Sequence, residues 1–207
     1  MLIGMAACDA PTVPSEAPAY DHTLPGELLY HWALGRTIRI YVDTTASGAQ
    51  LSRHVLAGAE EWKSVVYYRE LDVAITSTAD DADVIVHTDQ APFLVQFPVG
   101  CGFPPPFGGG VTFFCANDQE TELVRLPLTA GGGGRVKMDV TIDLADATTP
   151  TALRSLVTHE LGHVFGIGGH SNNPADVMFA APSATIPTER DARTLRYLLH
   201  QPVDLRP

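Results

Sequence analysis

The feature that most constrains this chain is a pair of histidines four residues apart, His159 and His163, with Glu160 directly after the first. Side chains four residues apart face the same side of an α-helix, so both imidazoles point the same way only if the segment is helical. Thr149 and Pro150 supply a matching start, because threonine is a common N-cap and proline suits the first helical turn. The sequence therefore predicts a helix that begins at Pro150 and carries both histidines on one face.

A glycine-rich turn follows this predicted helix at about residue 165. Gly166 can adopt the left-handed backbone conformation that ends a helix and turns the chain back, and His170 comes shortly after it. A catalytic zinc ion needs three protein ligands and an open fourth position for water. His159, His163 and His170 are therefore the predicted ligands, and Asp176 is the alternative oxygen ligand.

Glu160 is the candidate catalytic residue. It lies one position beyond the first predicted ligand, where its carboxylate is expected to face a water molecule acidified by zinc. A carboxylate there can accept the proton of the water and then deliver it to the leaving group. This chemistry hydrolyses a bond without any covalent nucleophile.

Hydrophobic patterns predict the elements around this motif. A strand, an amphipathic helix and two further strands precede a loop-rich segment, and another strand lies directly before the motif helix. A capped helix begins after Thr188 near the C-terminus. The predicted strands are residues 37–42, 71–76, 83–88 and 137–144, the long helix is 47–68, and the loop-rich segment 89–134 contains a possible strand at 111–115.

The motif resembles that of the metzincin family of zinc proteases, H-E-x-x-H-x-x-G-x-x-H followed by a methionine turn. Its first eight positions match, but Gly169 occupies the position of the third histidine, so His170 comes one residue late. Residues 170–179 then keep the histidine, serine, proline and methionine spacing of the matrixin branch. The resemblance implies that His170 remains a ligand and that Met178 forms an apolar floor beneath the metal without binding it.

The resemblance also implies a fold and a mode of substrate binding. The expected fold is an α+β domain of the metzincin-like (zincin) type, with a small twisted mixed sheet, a backing helix, the active-site helix and a C-terminal helix. A peptide or protein substrate would lie extended along an edge strand, for which residues 111–115 are the candidate. The implied activity is that of a zinc-dependent endopeptidase in which Glu160 is the general base.

The composition limits the alternatives. The chain has 207 residues, of which 45% are hydrophobic and 18% charged, as expected for one globular domain with a short appendage. Its formal net charge of -11 provides no basic surface for phosphates, so nucleic acid is excluded as a partner. We expect the chain to act as a monomer on a peptide or protein substrate.

The N-terminus resembles the end of a bacterial lipoprotein signal. Ala6 and Ala7 precede Cys8, the position that would carry lipid, although the segment lacks a positively charged start and a chance apolar N-terminus is the alternative. The following residues are rich in Pro, Ala, Thr and Ser and poor in large apolar groups, as in a tether. The predicted organisation is a signal-like segment (1–8), a Pro/Ala-rich tether (9–30) and a metzincin-like catalytic domain (31–207). These features predict a secreted or cell-envelope lipoprotein on the periplasmic or surface side of a bacterium, tethered to the membrane through Cys8.

Cys101 and Cys115 remain as a pair across the loop-rich segment. In an oxidising compartment they are predicted to form a disulfide. The alternative is that Cys101 is a thiolate that blocks the metal, as the inhibitory cysteine of matrix-metalloprotease propeptides does. That cysteine precedes the catalytic domain, whereas Cys101 lies inside it, so the disulfide is favoured.

Other metals and other functions are the remaining alternatives. Matrixins also carry structural zinc and calcium, and His87 with Asp139, Asp143 and Asp146 weakly resembles such sites, although a solvated face explains these residues as well. A non-catalytic surface lipoprotein that binds zinc or a partner is the rival function if Gly169 spoils the site. A zinc hydrolase of non-peptide amides is a second rival, and it predicts a closed small-molecule pocket.

Overall fold

A computed structural model describes residues 16–24, 26–43, 49–88, 109–117, 119–127 and 135–207. In chain order the elements are β1 (Thr37–Val42), α1 (Ala49–Ser64), β2 (Asp72–Thr76), a 3-10 turn (Ala79–Asp81), β3 (Val84–Thr88), β4 (Gly110–Phe113), β5 (Leu126–Pro127), β6 (Arg135–Val136), β7 (Met138–Ile142), α2 (Pro150–Val164) and α3 (Glu189–Leu199). Cys8 and Cys101 lie outside the described residues, and Cys115 is buried. The lipid attachment, the signal-like segment and the disulfide therefore stay predictions.

The main sheet has five strands in the order β2-β1-β3-β7-β4. The first four strands run parallel to their neighbours, and β4 pairs antiparallel with β7 at the edge. Parallel neighbours need a crossover connection, which α1 provides between β1 and β2. This arrangement confirms the predicted α+β class with a small mixed sheet, and it places the candidate edge strand at an edge, although with the shorter range Gly110–Phe113.

The backing helix α1 joins the sheet to α2. Its predicted apolar stripe is buried, with Leu51, Val55 and Trp62 all 0% exposed. The indole nitrogen of Trp62 donates a hydrogen bond to the backbone oxygen of Thr158 on α2, over 2.8 Å. α1 ends at Ser64 instead of near residue 68, and the chain then turns toward β2 through residues 65–71, of which Tyr67, Tyr68 and Arg69 are exposed. The stripe thus fixes α1 against the helix that carries the predicted ligands.

We expect Trp62→Ala to lower the free energy of unfolding by about 3–5 kcal/mol, because it leaves a cavity between α1 and α2. Chemical denaturation followed by far-UV circular dichroism measures this loss. Tyr68→Ala is the control, since Tyr68 is 69% exposed, and its effect should stay within about 0.5 kcal/mol. Equal losses in the two variants would contradict the packing role of Trp62.

The C-terminal helix α3 begins as the sequence predicts. Thr188 and Asp191 form a capping box, in which each side chain accepts a hydrogen bond from the backbone of the other. Ala192, Leu195 and Leu199 are buried on its inner face, which confirms the predicted stripe. In the described part of the chain, no helix is both long and apolar enough to cross a membrane.

Residues 19–24 lie against the domain, although the composition of this region is typical of a tether. The hydroxyl of Tyr20 donates to the Asp191 carboxylate over 2.7 Å, and the backbone nitrogen of Ala19 donates to the hydroxyl of Thr194 over 3.0 Å. Tyr20 and Leu24 also pack against the main hydrophobic core. The predicted tether is therefore not free over its described second half, because its few large side chains have partners on the domain.

Candidate metal centre

The predicted motif helix is α2, and its start is capped as expected. The Thr149 hydroxyl accepts a hydrogen bond from the backbone nitrogen of Ala152 over 3.1 Å, and Pro150 occupies the first turn. His159 and Glu160 are each only 3% exposed. The helix therefore directs these side chains into the interior of the protein, where their environment controls their protonation.

The turn at Gly166 also forms as predicted. Gly166 has a φ of 124°, its N–H donates to the His163 oxygen over 3.1 Å, and the N–H of Ile167 donates to the Gly162 oxygen over 3.1 Å. These two bonds satisfy the last carbonyls of α2 and reverse the chain. A Cβ at Gly166 would overlap the backbone oxygen of Tyr30, so both the conformation and the space require glycine here.

The turn brings three histidines together. Their ring centroids are 4.8 Å apart for His159 and His163, 5.2 Å for His159 and His170, and 5.0 Å for His163 and His170. One ligating nitrogen from each ring lies within 4.8 Å of the others, and the Nε2 atoms of His159 and His163 are 3.2 Å apart. Two nitrogens bound to one tetrahedral zinc ion lie about 3.4 Å apart. The cluster therefore fits a metal ion, and the extra Gly169 does not remove His170 from it.

Two of these imidazoles are oriented by backbone carbonyls. Nδ1 of His159 lies 2.8 Å from the Val177 oxygen, and Nδ1 of His163 lies 2.6 Å from the Ile167 oxygen. A carbonyl only accepts hydrogen bonds, so each Nδ1 carries the proton and each Nε2 presents a lone pair. Such outer partners fix both the tautomer and the ring orientation that a metal needs.

The environment keeps all three imidazoles neutral. Burial and the nearby His170 together lower the pKa of His159 to about 4, although the hydrogen bond to the Val177 carbonyl opposes this shift. Burial and the two neighbouring histidines hold the pKa of His163 well below its ordinary value, and burial also lowers the pKa of His170. Neutral imidazole is the form that binds metal. Protonation therefore does not compete with a cation at neutral pH.

Glu160 lies beside this cluster, held by the edge strand β4. The hydroxyl of Thr112 donates to its Oε2 over 2.7 Å, and a Cβ at Gly110 would lie 2.6 Å from its Oε1. Burial raises the pKa of Glu160 to about 7, while the hydrogen bond from Thr112 opposes this rise. A buried carboxylate of this kind is a stronger base than an exposed one, as a general base near neutral pH requires.

A cleft of about 1010 Å³ contains Glu160 and the three histidines. Strand β4 lines it on the side of Glu160, and the other lining residues are mostly apolar. Those apolar residues include Leu24, Leu28, Phe114, Leu156, Ala180, Pro182 and Leu205. The polar groups therefore converge at one place in an otherwise apolar cleft, which is the usual composition of a ligand site.

Met178 lies under the ligand helix. It is fully buried, and a Cβ at Gly162 would overlap its sulfur, so the methionine packs directly against the backbone between the two helical histidines. Its own backbone nitrogen donates to the Asp191 carboxylate over 3.3 Å. Met178 therefore lies beneath the two helical histidines, and its role as an apolar floor for a metal stays a prediction.

Asp176, the alternative ligand, is committed to the turn below the site. It is 0% exposed, accepts a hydrogen bond from Thr188 over 2.7 Å and one from Arg190 over 2.9 Å, and also accepts from the hydroxyl of Ser171. Within the described residues, the metal-ligand cluster contains the three histidines and not this carboxylate. The role of Asp176 is to hold the turn.

The weak resemblance to calcium and structural zinc sites gains no support. His87 pairs with Asp139 over 2.9 Å inside the sheet, and Asp143 accepts a hydrogen bond from the backbone of Ala145 over 2.7 Å. Over the part of the chain that the structure describes, Asp139, Asp143 and Asp146 do not gather around one point. The calcium site therefore stays a prediction.

Sequence reasoning did not identify three contributors to the site. Thr112 and Gly110 hold Glu160, and the hydroxyl of Tyr30 donates to the backbone oxygen of His163. No motif marks these residues, because they reach α2 only through the three-dimensional arrangement of β4 and the N-terminal region. The predicted edge strand at residues 111–115 was the one signal for Thr112, and Gly110 lies just before that range on the same face of β4.

No protein-family model matches the sequence, and no curated protein matches it either. One matching solved structure is the crystal structure of archaemetzincin from Methanopyrus kandleri, at 14% sequence identity and a TM-score of 0.44. The match covers 83% of this chain and 97% of the archaemetzincin chain. The chemistry of the site therefore rests on the side chains described above.

Proposed function

We propose that this protein is a zinc-dependent endopeptidase. The observation that carries the proposal is the convergence of three neutral imidazoles, from His159, His163 and His170, beside the buried Glu160 in a cleft lined by an edge strand. Three imidazole ligands are a common set for catalytic zinc, and they leave a position open. The site thus has the donors of a metal centre, a base, and a surface that can hold a peptide.

In this proposal the three histidines, Glu160 and Thr112 have separate roles. A zinc ion held by the three histidines would act as a Lewis acid toward water and the scissile carbonyl. Glu160 accepts the proton of the attacking water and delivers it to the leaving amine. The hydroxyl of Thr112 holds one oxygen of Glu160, so the other oxygen is available for this proton.

Strand β4 would hold the substrate. Among the described residues it ends the sheet, with β7 as its one strand partner, so an extended peptide would pair along its other edge. Pairing at a sheet edge uses backbone hydrogen bonds and accepts many sequences, while the apolar cleft favours substrates with apolar side chains near the scissile bond. We propose a peptide or protein substrate of this kind.

We also propose that the enzyme is matrixin-like and lies outside the cytoplasm. The spacing of residues 170–179 supports a matrixin-like branch of the metzincins, with Met178 as the turn methionine. Lipidation at Cys8 would place the enzyme on the outer side of a bacterial membrane, where Cys101 and Cys115 can form a disulfide. A membrane-anchored, extracytoplasmic protease is the result.

The test is metal analysis and cleavage of a mixed peptide library by the purified full chain. We expect one zinc ion per chain, loss of cleavage when a chelator removes it, and recovery when zinc is restored. Stoichiometric zinc without cleavage of any peptide would favour the non-catalytic surface lipoprotein, and cleavage of small amides alone would favour the other hydrolase. A chain that binds no zinc would contradict the proposal.

A further inference from the structure

The third histidine differs from the other two in how it is held. In the described part of the chain, no group hydrogen-bonds the imidazole of His170, whereas carbonyls orient His159 and His163. His170 is also the exposed member of the cluster. Its position therefore depends on the backbone on both sides of it: Ser171, whose N–H donates to the Met178 oxygen over 2.7 Å, and the preceding turn of Gly168 and Gly169.

That turn is covered by residues 19–24, which we call the N-terminal segment. The N–H of Gly168 donates to the His22 oxygen over 2.8 Å. A Cβ at Gly168 would lie 2.8 Å from the backbone of Thr23, and one at Gly169 would overlap the carbonyl of Asp21. The two backbones are therefore in direct contact, and only glycine leaves room for this approach.

The N-terminal segment is itself anchored on both sides of this contact. Asp21 accepts hydrogen bonds from the backbone nitrogen of Thr23 over 3.0 Å and from its hydroxyl over 2.8 Å, which closes a local turn around the His22 carbonyl. Tyr20 donates to the buried carboxylate of Asp191 over 2.7 Å. The segment thus presents the His22 carbonyl to Gly168 from a fixed position.

The same carboxylate connects the N-terminal segment to the methionine turn. Asp191 also accepts a hydrogen bond from the backbone nitrogen of Val177 over 2.9 Å, and the Val177 oxygen is the partner of His159. The buried carboxylate of Asp191 therefore bonds both Tyr20 of the N-terminal segment and Val177, whose carbonyl orients His159. The N-terminal segment and the turn at Val177 and Met178 are thus held together by Asp191, next to the histidine cluster.

We propose that the N-terminal segment is a positioning element for the third metal ligand. It fixes the turn at Gly168 and Gly169, and thereby holds His170 at the distance that joint binding with His159 and His163 requires. This explains the extra glycine, because the turn needs two residues without side chains where the segment lies on it. The inference rests on the proposed metal site, but it concerns zinc affinity and is independent of peptide cleavage.

The test uses the full chain, because a truncation at residue 24 would delete the segment. Gly169→Ala forces the turn and Asp21 apart, so we expect zinc affinity, measured by competition with a chelator, to fall about 10–100-fold. Tyr20→Phe removes only the bond to Asp191 and should weaken zinc binding about 2–10-fold. Tyr68→Phe, at an exposed tyrosine, should change nothing.

Cobalt substitution separates positioning from general stability. Loss of the third nitrogen changes the visible cobalt spectrum, since that spectrum reports ligand number and geometry. A variant that unfolds at a lower temperature with wild-type zinc affinity and an unchanged cobalt spectrum would overturn the inference, as would unchanged zinc affinity in both variants. If Gly169→Ala does not fold, Tyr20→Phe decides the question alone. Wild-type protein that binds zinc without cleaving peptides would contradict the endopeptidase and leave this inference standing.

Discussion

Replacing Glu160 with glutamine should lower kcat for peptide cleavage by about 10²–10⁴-fold and leave zinc binding intact. Glutamine keeps the size of the side chain and can still accept a hydrogen bond from Thr112, but it cannot take a proton from water. Because Glu160 is not a ligand in this proposal, the three histidines keep their donors. Parallel measurements of kcat and of zinc content in Glu160→Gln test both parts of the expectation.

The matched control is Glu60→Gln, which makes the same chemical change at an exposed position on α1. It should leave kcat unchanged. Retained cleavage in Glu160→Gln would show that another group moves the proton, and loss of zinc would show that the carboxylate binds the metal. The two failures are distinct, because the first concerns only the rate and the second concerns the metal.

The sequence predicted those parts of the site whose chemistry depends on the spacing of residues close together along the chain. His159 and His163 can share one metal only on a helix, and Gly166 is needed only if that helix ends there, so these residues specify their own local structure. The position of His170 after two glycines was also predictable, since a turn can absorb an extra residue. These positions all lie within residues 159–170, so helix geometry and turn chemistry were enough to predict them.

The sequence did not predict contacts that arise between distant elements. Thr112 reaches Glu160 because β4 lies at the edge of the sheet beside α2, an arrangement set by strand pairing and not by any period in the sequence. The N-terminal segment was missed for a related reason. Its average composition is that of a tether, and the average hides Tyr20, whose partner Asp191 lies near the other end of the chain.

The end of α1 shows a limit of periodicity itself. Val66 continues the apolar stripe and is buried, so the pattern predicts helix to residue 68, yet the helix ends at Ser64. Arg69 adopts a φ of 54°, where the chain reverses toward β2. Val66 fits the apolar pattern because it is buried, but a residue can be buried without being part of a helix. Buried positions were therefore predicted better than the end of the helix.

Removing His170, the third proposed ligand, should strongly weaken zinc binding. We expect His170→Ala to weaken zinc binding by more than the roughly 10–100-fold that is typical when an outer partner of a ligand is lost, because a ligand itself is removed. Two histidines on one helix cannot by themselves complete a catalytic zinc site. Cleavage at a fixed, low concentration of free zinc should fall accordingly, and chelator competition gives the affinity directly.

His54→Ala is the control, because His54 lies on α1 and is not part of the cluster, so its loss should leave zinc affinity unchanged. High zinc concentration should load the His170→Ala variant in part, and external imidazole should improve the loading, since it can occupy the vacated position. If His170→Ala keeps wild-type zinc affinity and cleavage, the third ligand lies elsewhere. The N-terminal segment would then position a turn that does not contribute to metal binding. In that case Gly169→Ala should also leave zinc affinity unchanged.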